Sequence, residues 1–500
     1  MNGSELLQTK IISWAKQKKD APVVIEAVTG QQIFYADFAY AVSSMREFLG
    51  GTPQTLVVAI PGSITDAVLW LSALTGGHLL IPVSPHITPF EFEHVVAYHK
   101  PDLIVADETP DTRVNLNGAK ILTLSTCQEV IAKGIRKKKE FTKQKPQEGM
   151  IFLSSSGSTG APKGMRLSAK KIVITAENII ASHRLTEDDR GLTPLPFHHV
   201  NAPIVSLITS VLSGGTVIIA PRYSTTHFWE WVEKYDPTWI SIVPTIVAML
   251  LKTEKPKFLG KTSLRFIRTA SAPLPVVYFN KFKEKFGMPL IETYGISEAC
   301  STITANPVPP GIHKIGSVGL PIGVSFRICN VDTAAQKLED VPSGSTGEIC
   351  IKGDNVITGY DDNVREEAFR EGWFRTGDLG YLDKDGYLFI TGRIKDIIIR
   401  GGENIAPREI EELLLMYPGI DEAAVVGQPD ALYGEKIVAF VASGNEKKKK
   451  TKDAEENIKE YLREKLSPEK IPTHINFLPQ LPKGKTGKID KQALKSYPST

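Results

Sequence analysis

Between Leu56 and Gly295, short apolar runs alternate with stretches of helical periodicity, and this alternation restricts the fold more than any other property of the chain. TLVVAI (55–60), HLLIPV (78–83), LIVA (103–106), KILTL (120–124), TVIIA (216–220), TWISIV (238–243) and LRFIRTA (264–270) read as buried strands. Helix patterns lie between several of them. Phe228, Trp231, Val232 and Tyr235 share one helical face, with Ser224 expected as the N-cap. Strand and helix in alternation predict an α/β protein with parallel sheets covered by helices.

After Gly295 the texture changes. VPSGSTGEICIKG (341–353) and DKDGYLFITG (383–392) set short runs between Gly, Pro and Asp turns, which predicts a smaller β-rich portion. Beyond GRIKD (392–396) an α+β pattern begins. Ile410, Leu413, Leu414 and Tyr417 line a helix with Pro407 in its first turn, AAVVG and KIVAFVAS read as strands, and Ala454 to Leu466 reads as a helix. A chain of 500 residues exceeds what one core usually serves, and this last stretch is domain-sized by itself. The expectation is an N-terminal domain over 1–394, made of parallel αβ subdomains and a small β-rich subdomain, followed by a mobile α+β domain over 395–500.

A net charge of +3 is too small to argue for a nucleic-acid partner. The basic runs Arg136 to Lys139 and Lys447 to Lys450 sit in polar segments and read as solvated loops. Four scattered cysteines, Cys127, Cys300, Cys329 and Cys350, show no CxxC and no zinc spacing, which predicts buried thiols in a reduced compartment. With no signal-peptide core, no membrane-length apolar run and no SKL ending, a cytoplasmic location is expected.

Five clusters carry the chemistry. SSSGSTGAPKG (154–164) packs hydroxyls, glycines and Lys163 between a strand-like run (Met150 to Leu153) and a helix-like run from near Ser168. Glycines let backbone N–H groups approach a phosphate, so the segment reads as a phosphate cradle. It is not a Walker A loop, because from Gly157 onward Pro162 and Lys163 stand where Gly and Lys are needed. A Ser/Gly linker would not carry the Pro-Lys-Gly order. ETYGISEA (292–299) ends a strand and offers Tyr294 as a flat face, Ser297 as a hydroxyl and Glu298 as a hard oxygen ligand. GWFRTGDLG (372–380) puts Asp378 in a turn where a carboxylate can accept from two hydroxyls. GRIKDIIIRGGENIAPREIE (392–411) joins Arg393 to a strand, two glycines and a helix start, and LPKGKTGKID (481–490) sets Lys488 in a Gly-rich turn. Taken singly, the last four also read as a common turn, an Asp turn, a charged linker and an exposed basic tail.

Together and in this order, the five clusters resemble the adenylate-forming superfamily of acyl-CoA synthetases, luciferases and peptide-synthetase adenylation domains. Ser155 to Gly164 satisfy its cradle pattern, and YGISE, RTGDLG, GRIKD and PKGKTGK match its later motifs. The resemblance implies an enzyme using ATP, Mg²⁺ and coenzyme A that forms an acyl-adenylate and passes the acyl group to a thiol. By resemblance, Ser155, Ser156, Gly157, Ser158, Thr159, Gly160 and Lys163 wrap the β- and γ-phosphates, and Glu298 with Thr159 holds Mg²⁺. Glu292, Thr293, Tyr294, Gly295 and Ser297 line the nucleotide. Tyr294 stacks on adenine opposite Ala270, Ser271 and Ala272, and Asp378 and Arg393 bind the ribose. Lys488 contacts the carboxylate and the α-phosphate, Lys395 is the hinge, and Gly401 and Gly402 reach the thiol tunnel after rotation.

For the acid, the resemblance is closest to the oxalyl-CoA synthetase branch, carried by LRFIRTASAPL (264–274) and TANPVPPGIHKIGSVGLPIG (304–323). It implies His199 at the mouth of the acyl pocket, with Ser271 and His313 lining a small polar site suited to oxalate or another short dicarboxylate. Ala-Pro after Ser271, YGIS in place of YAMT, and the missing peroxisomal tail depart from that branch. Medium-chain fatty or aryl acids, a carrier protein as acceptor, a non-catalytic nucleotide-binding descendant and a luciferase stand as the other readings. Expected partners are the acid and coenzyme A, without nucleic acid or membrane, in a monomer or homodimer.

Overall fold

A computed structural model describes residues 2–107, 116–141, 146–155, 163–331, 337–361, 366–443, 452–484 and 488–498. The expected strands form, and their residues sort into four sheets among the described residues. A six-stranded sheet runs in the order Lys120–Thr123, Leu103–Ala106, Thr55–Ala59, Leu79–Pro82, Met150–Ser155, Lys163–Ser168. Its pairings are parallel except the last, where Ser155 pairs with Lys163 across an antiparallel register.

A nine-stranded sheet packs against it. At its centre Thr216–Ile219, Arg190–Thr193, Trp239–Ile242, Phe266–Thr269 and the start of Leu290–Ile296 run parallel. Beyond them Ser301–Ala305 and Leu320–Pro321 add antiparallel strands at one edge. The helix Ile64–Gly76 is buried along nearly its whole length, and its Trp70 and Leu71 share one core with Leu56 and Leu80 of one sheet and Ile218 of the other. Ser63 caps its start by accepting from Asp66 N.

The expected cap at Ser224 is a correction. The helix Phe228–Tyr235 begins after His227, and Ser224 lies one turn earlier, where its hydroxyl accepts from His227 N at 3.3 Å and its carbonyl from Phe228 N. A serine that closes a turn upstream of a helix has the same sequence signature as one that caps it.

The β-rich portion is a five-stranded sheet of Ser325–Cys329, Gly347–Lys352, Trp373–Leu382, Phe369–Arg370 and Leu388–Arg393. Past Arg393 the chain makes a 3-10 turn, Ile394–Asp396, and enters another five-stranded sheet in which Glu422–Asp430 and Gly434–Ala442 pair throughout. The helices Pro407–Met416 and Lys452–Arg463 accompany this sheet, and Ile410, Leu414, Val425, Ile458 and Leu462 form its separate apolar core. The second helix begins two residues before and ends three residues before the expected span of 454–466. Among the described residues no helix is long and apolar enough to cross a membrane, and all four cysteines are free and buried.

Candidate active site

Parallel strands end on the same side of a sheet, and that end is where open α/β sheets leave a crevice. Here Phe266–Thr269 runs out into Ala270-Ser271-Ala272, and Leu290–Ile296 runs into the short 3-10 turn Ser297–Ala299. Ser271 has φ +73°, a left-handed conformation that is costly for a residue with a Cβ. Asn201 Nδ2 lies 3.5 Å from Ser271 Oγ, and Asn201 Oδ1 accepts from Ser241 Oγ at 2.9 Å. Asn201 opens an eight-residue π-type helix, Asn201–Ile208, immediately after His199-Val200.

Tyr294 projects from the neighbouring strand and donates its hydroxyl to Asp378 Oδ2 at 2.6 Å. Asp378 pairs in register with Arg393 on the adjacent strand of the β-rich sheet, and Arg393 Nε meets its Oδ1 at 2.7 Å. Each carboxylate oxygen therefore has one protein partner and one lone pair left for an incoming hydroxyl. Asp378 holds the Arg393 guanidinium firmly in its charged form. Burial, and then Asp378 beside it, push the Tyr294 phenol up, so it stays protonated. Arg375 of the same motif turns away from the cleft and meets Glu348 Oε2 at 2.5 Å, both side chains buried.

Lys488 arrives from the far end of the chain. It is solvent-accessible yet hemmed in by protein, which lowers its pKa, with Arg393 lowering it further and Asp378 opposing. His199 also opens to the cleft, and its pKa is lowered by the surrounding protein and then by the Lys488 charge. Adjacent His198 is lowered to about 4 by burial and by its histidine neighbours. Both shifts keep the imidazole pair neutral at neutral pH. Lys395 is exposed on the turn that directly follows Arg393.

Glu298 sits in the 3-10 turn that ends the strand carrying Tyr294, where Tyr360 donates to its Oε1 at 2.8 Å and Ile357 N to its backbone carbonyl. Among the described residues no group of three or more His, Cys, Asp or Glu side chains could hold a metal by itself. A single carboxylate suits Mg²⁺, which keeps its waters and takes the rest of its oxygens from phosphates, so the residues fit that ion on a nucleotide.

Not every expected residue joins this cluster. Thr293 is committed inward, donating to Thr269 O and accepting from Arg268. Glu292 is buried against the Gly316 amide, with His313 Nε2 at 3.8 Å. His313 packs edge-on against Phe279. Gly401 and Gly402 form an exposed turn between Ile398–Arg400 and Glu403–Ile405, with Gly401 N bonded to Tyr433 O. Gly295 has no room for a side chain, since a Cβ would meet Ser301 O at 1.9 Å. Ser156, Gly157, Ser158, Thr159 and Gly160 lie outside the described residues, as do the side chains of Ser155 and Lys163. Asn201 and Tyr360 escaped the sequence reading. Asn201 has one local signal, its place two residues after His199, and Tyr360 has none.

Comparison with known proteins bears on the family and the fold. Residues 12–361 match the family described as AMP-binding enzyme, and residues 409–488 match the AMP-binding enzyme C-terminal domain. A sulfoacetate–CoA ligase of Cupriavidus necator is 32% identical over 97% of this chain and 96% of its own. An oxalate–CoA ligase of Arabidopsis thaliana is 38% identical over 70% of this chain and 68% of its own. Among solved structures, ATP-bound MatB from Rhodopseudomonas palustris superposes with a TM-score of 0.87 at 26% identity, covering 99% of this chain and 98% of that one. O-succinylbenzoate coenzyme A synthetase of Bacillus subtilis, in complex with ATP and a magnesium ion, gives 0.80 at 25% identity, covering 97% and 99%.

Proposed function

Because this chain belongs to the AMP-binding enzymes and is an AMP-forming acid–CoA ligase that uses ATP and coenzyme A, we propose that its acid is small and carries a second anionic group, such as oxalate, another short dicarboxylate or a sulfonated acid. The observation that carries this reading is the polar lining beside His199, where Asn201 Nδ2 lies 3.5 Å from Ser271 Oγ and Lys488 is near enough to lower the His199 pKa. Relatives that act on sulfoacetate and oxalate support the charge of the acid.

A carboxylate is unreactive because its oxygen leaves badly. In the first half-reaction the acid attacks the α-phosphate, pyrophosphate departs, and the acyl carbon gains AMP as a leaving group. Tyr294 would stack on the adenine, with Ala270, Ser271 and Ala272 on the other side. Asp378 would accept from the ribose hydroxyls while Arg393 fixes its orientation. Lys488 would neutralise the charge that builds on the phosphoryl and carboxylate oxygens, a preorganised electrostatic role. Glu298, with Thr159, would hold Mg²⁺, which would supply neutralising charge at the phosphates.

In the second half-reaction the thiol must occupy the space Lys488 had filled. The division into 1–394 and 395–500, with Lys395 as the hinge, would let Gly401 and Gly402 replace Lys488 at the cleft, their lack of side chains admitting a narrow pantetheine arm. A cytoplasmic setting is supported by four free, buried cysteines. A partner list of acid, ATP and coenzyme A, without nucleic acid, is supported by the near-neutral charge.

The test is AMP release with coenzyme A over a panel of acids. Oxalate, malonate or sulfoacetate should lead, and hexanoate or benzoate leading by a wide margin would sink the second-anion reading.

A further inference from the structure

The strand Phe266–Thr269 carries a cation that the reaction described above leaves unused. Arg268 is completely buried. Its Nη2 donates to Thr293 Oγ1 at 2.7 Å and to Thr302 Oγ1 at 3.0 Å, while Nε and Nη1 find no acceptor. Among the described residues no carboxylate pairs with it. Burial lowers its pKa to about 9, which still leaves it charged at neutral pH. An uncompensated buried guanidinium is costly, and structures keep one where something else completes it.

The sheet register says where that charge points. Arg268 pairs with Ile291, yet its head bonds Thr293, two positions further along that strand, and Thr302, whose partner Gly295 is four positions further. The guanidinium is thus carried forward to the level of Ala270-Ser271-Ala272, where the strand runs out into the crevice. Ser241, in register with Arg268 on its other side, bonds Asn201, and Asn201 reaches Ser271. A polar row therefore leads from the crevice to the buried cation, under the π-type helix that begins at Asn201.

Resting on the reading of a small acid with a second anion, we propose that Arg268 is the residue that binds this second anion and so determines acid specificity. The carboxylate to be adenylated faces Lys488 and His199, and the distal oxyanion accepts from the free Nε and Nη1 of Arg268. A planar fork with two free donors matches a carboxylate or sulfonate. An apolar tail at the same place would leave both donors unpaired, so the site discriminates against it.

The experiment compares wild type, Arg268→Met and Arg268→Lys in AMP release with oxalate, malonate and sulfoacetate, set against acetate, propionate and butyrate. Arg268→Met is expected to lose ~10²-fold in kcat/KM for the dianionic set, through loss of hydrogen bonds between charged groups. The monocarboxylate set and the KM for ATP should hold or improve. Arg268→Lys should fall between, because a point charge replaces a fork. Equal loss on both sets, or an unchanged ratio, would overturn the assignment. Should Arg268→Met be insoluble, the same ratio in Arg268→Lys decides. Wild type preferring hexanoate or benzoate would instead remove the acid reading itself, and wild type preferring dianionic acids with the ratio intact in the variants would remove only Arg268.

Discussion

Tyr294 and Asp378 meet across 2.6 Å although 84 residues separate them in the chain, and their hydrogen bond joins the end of the nine-stranded sheet to the β-rich sheet. The nucleotide site is thereby tied to two structural units, and each of its groups can be removed separately.

Asp378→Asn keeps the shape but removes the charge that Arg393 and Tyr294 hold. Hydrogen bonds to charged groups are worth about 1.5–3 kcal/mol each, so the KM for ATP should rise by one to two orders of magnitude with the KM for coenzyme A little changed. Steady-state kinetics varying each substrate checks this, and an unchanged KM for ATP would contradict the ribose role.

Lys488→Ala should abolish acid-dependent pyrophosphate exchange. Removing one charge-stabilising donor costs ~10²–10³ in rate, while thioester formation from preformed acyl-adenylate should survive. Equal loss of both half-reactions would contradict a role confined to adenylation.

The pH profile follows from the same residue. Protein crowding, and then the Arg393 charge, lower the Lys488 pKa, so the ammonium is lost at a lower pH than in a free lysine. Adenylation should therefore fall on the alkaline side earlier than an ordinary lysine dictates. Arg393→Gln removes a neighbouring cation and should move that limb to higher pH, whatever it does to the maximal rate. A limb that stays in place would assign it to another group.

Lys395→Pro should separate the half-reactions the other way. Lys395 lies in a 3-10 turn, whose φ is close to the value proline imposes, so the substitution acts chiefly by fixing that φ. Pyrophosphate exchange should persist while coenzyme A consumption stops. Retained thioester formation would place the hinge elsewhere.

Glu348→Ala should leave Arg375 buried without its partner and free the Gly377 amide that Glu348 also holds. Breaking a buried pair costs about 3–5 kcal/mol, so the thermal midpoint should drop by several degrees. A midpoint within a degree of wild type would show that the pair contributes nothing to stability.

Much of this was legible beforehand. The runs from Thr55 to Ala270 became strands in the expected places because buried parallel strands are written as short continuous apolar runs, whatever their partners. Asp378, Arg393, Tyr294 and Lys488 could be singled out because each stands in a Gly-marked turn of a recognisable motif. His313, placed near Ser271 by resemblance, packs edge-on against Phe279 with its Nε2 3.8 Å from Glu292, partners that no local pattern in its loop announces. A loop's direction is a property of what it packs against.

The local sequence by itself determined which segments become strands, helices and Gly-rich turns, because backbone propensity, periodicity and turn chemistry are short-range. Only the tertiary structure decided what faces what. Arg268 is an unremarkable letter in an apolar strand until the register shows it buried, half unpartnered and carried to the crevice. The charge of Lys488 becomes meaningful only when the folded C-terminal stretch brings it beside Arg393 and His199. Electrostatic free energy depends on separation and desolvation, and neither can be read from position along the chain.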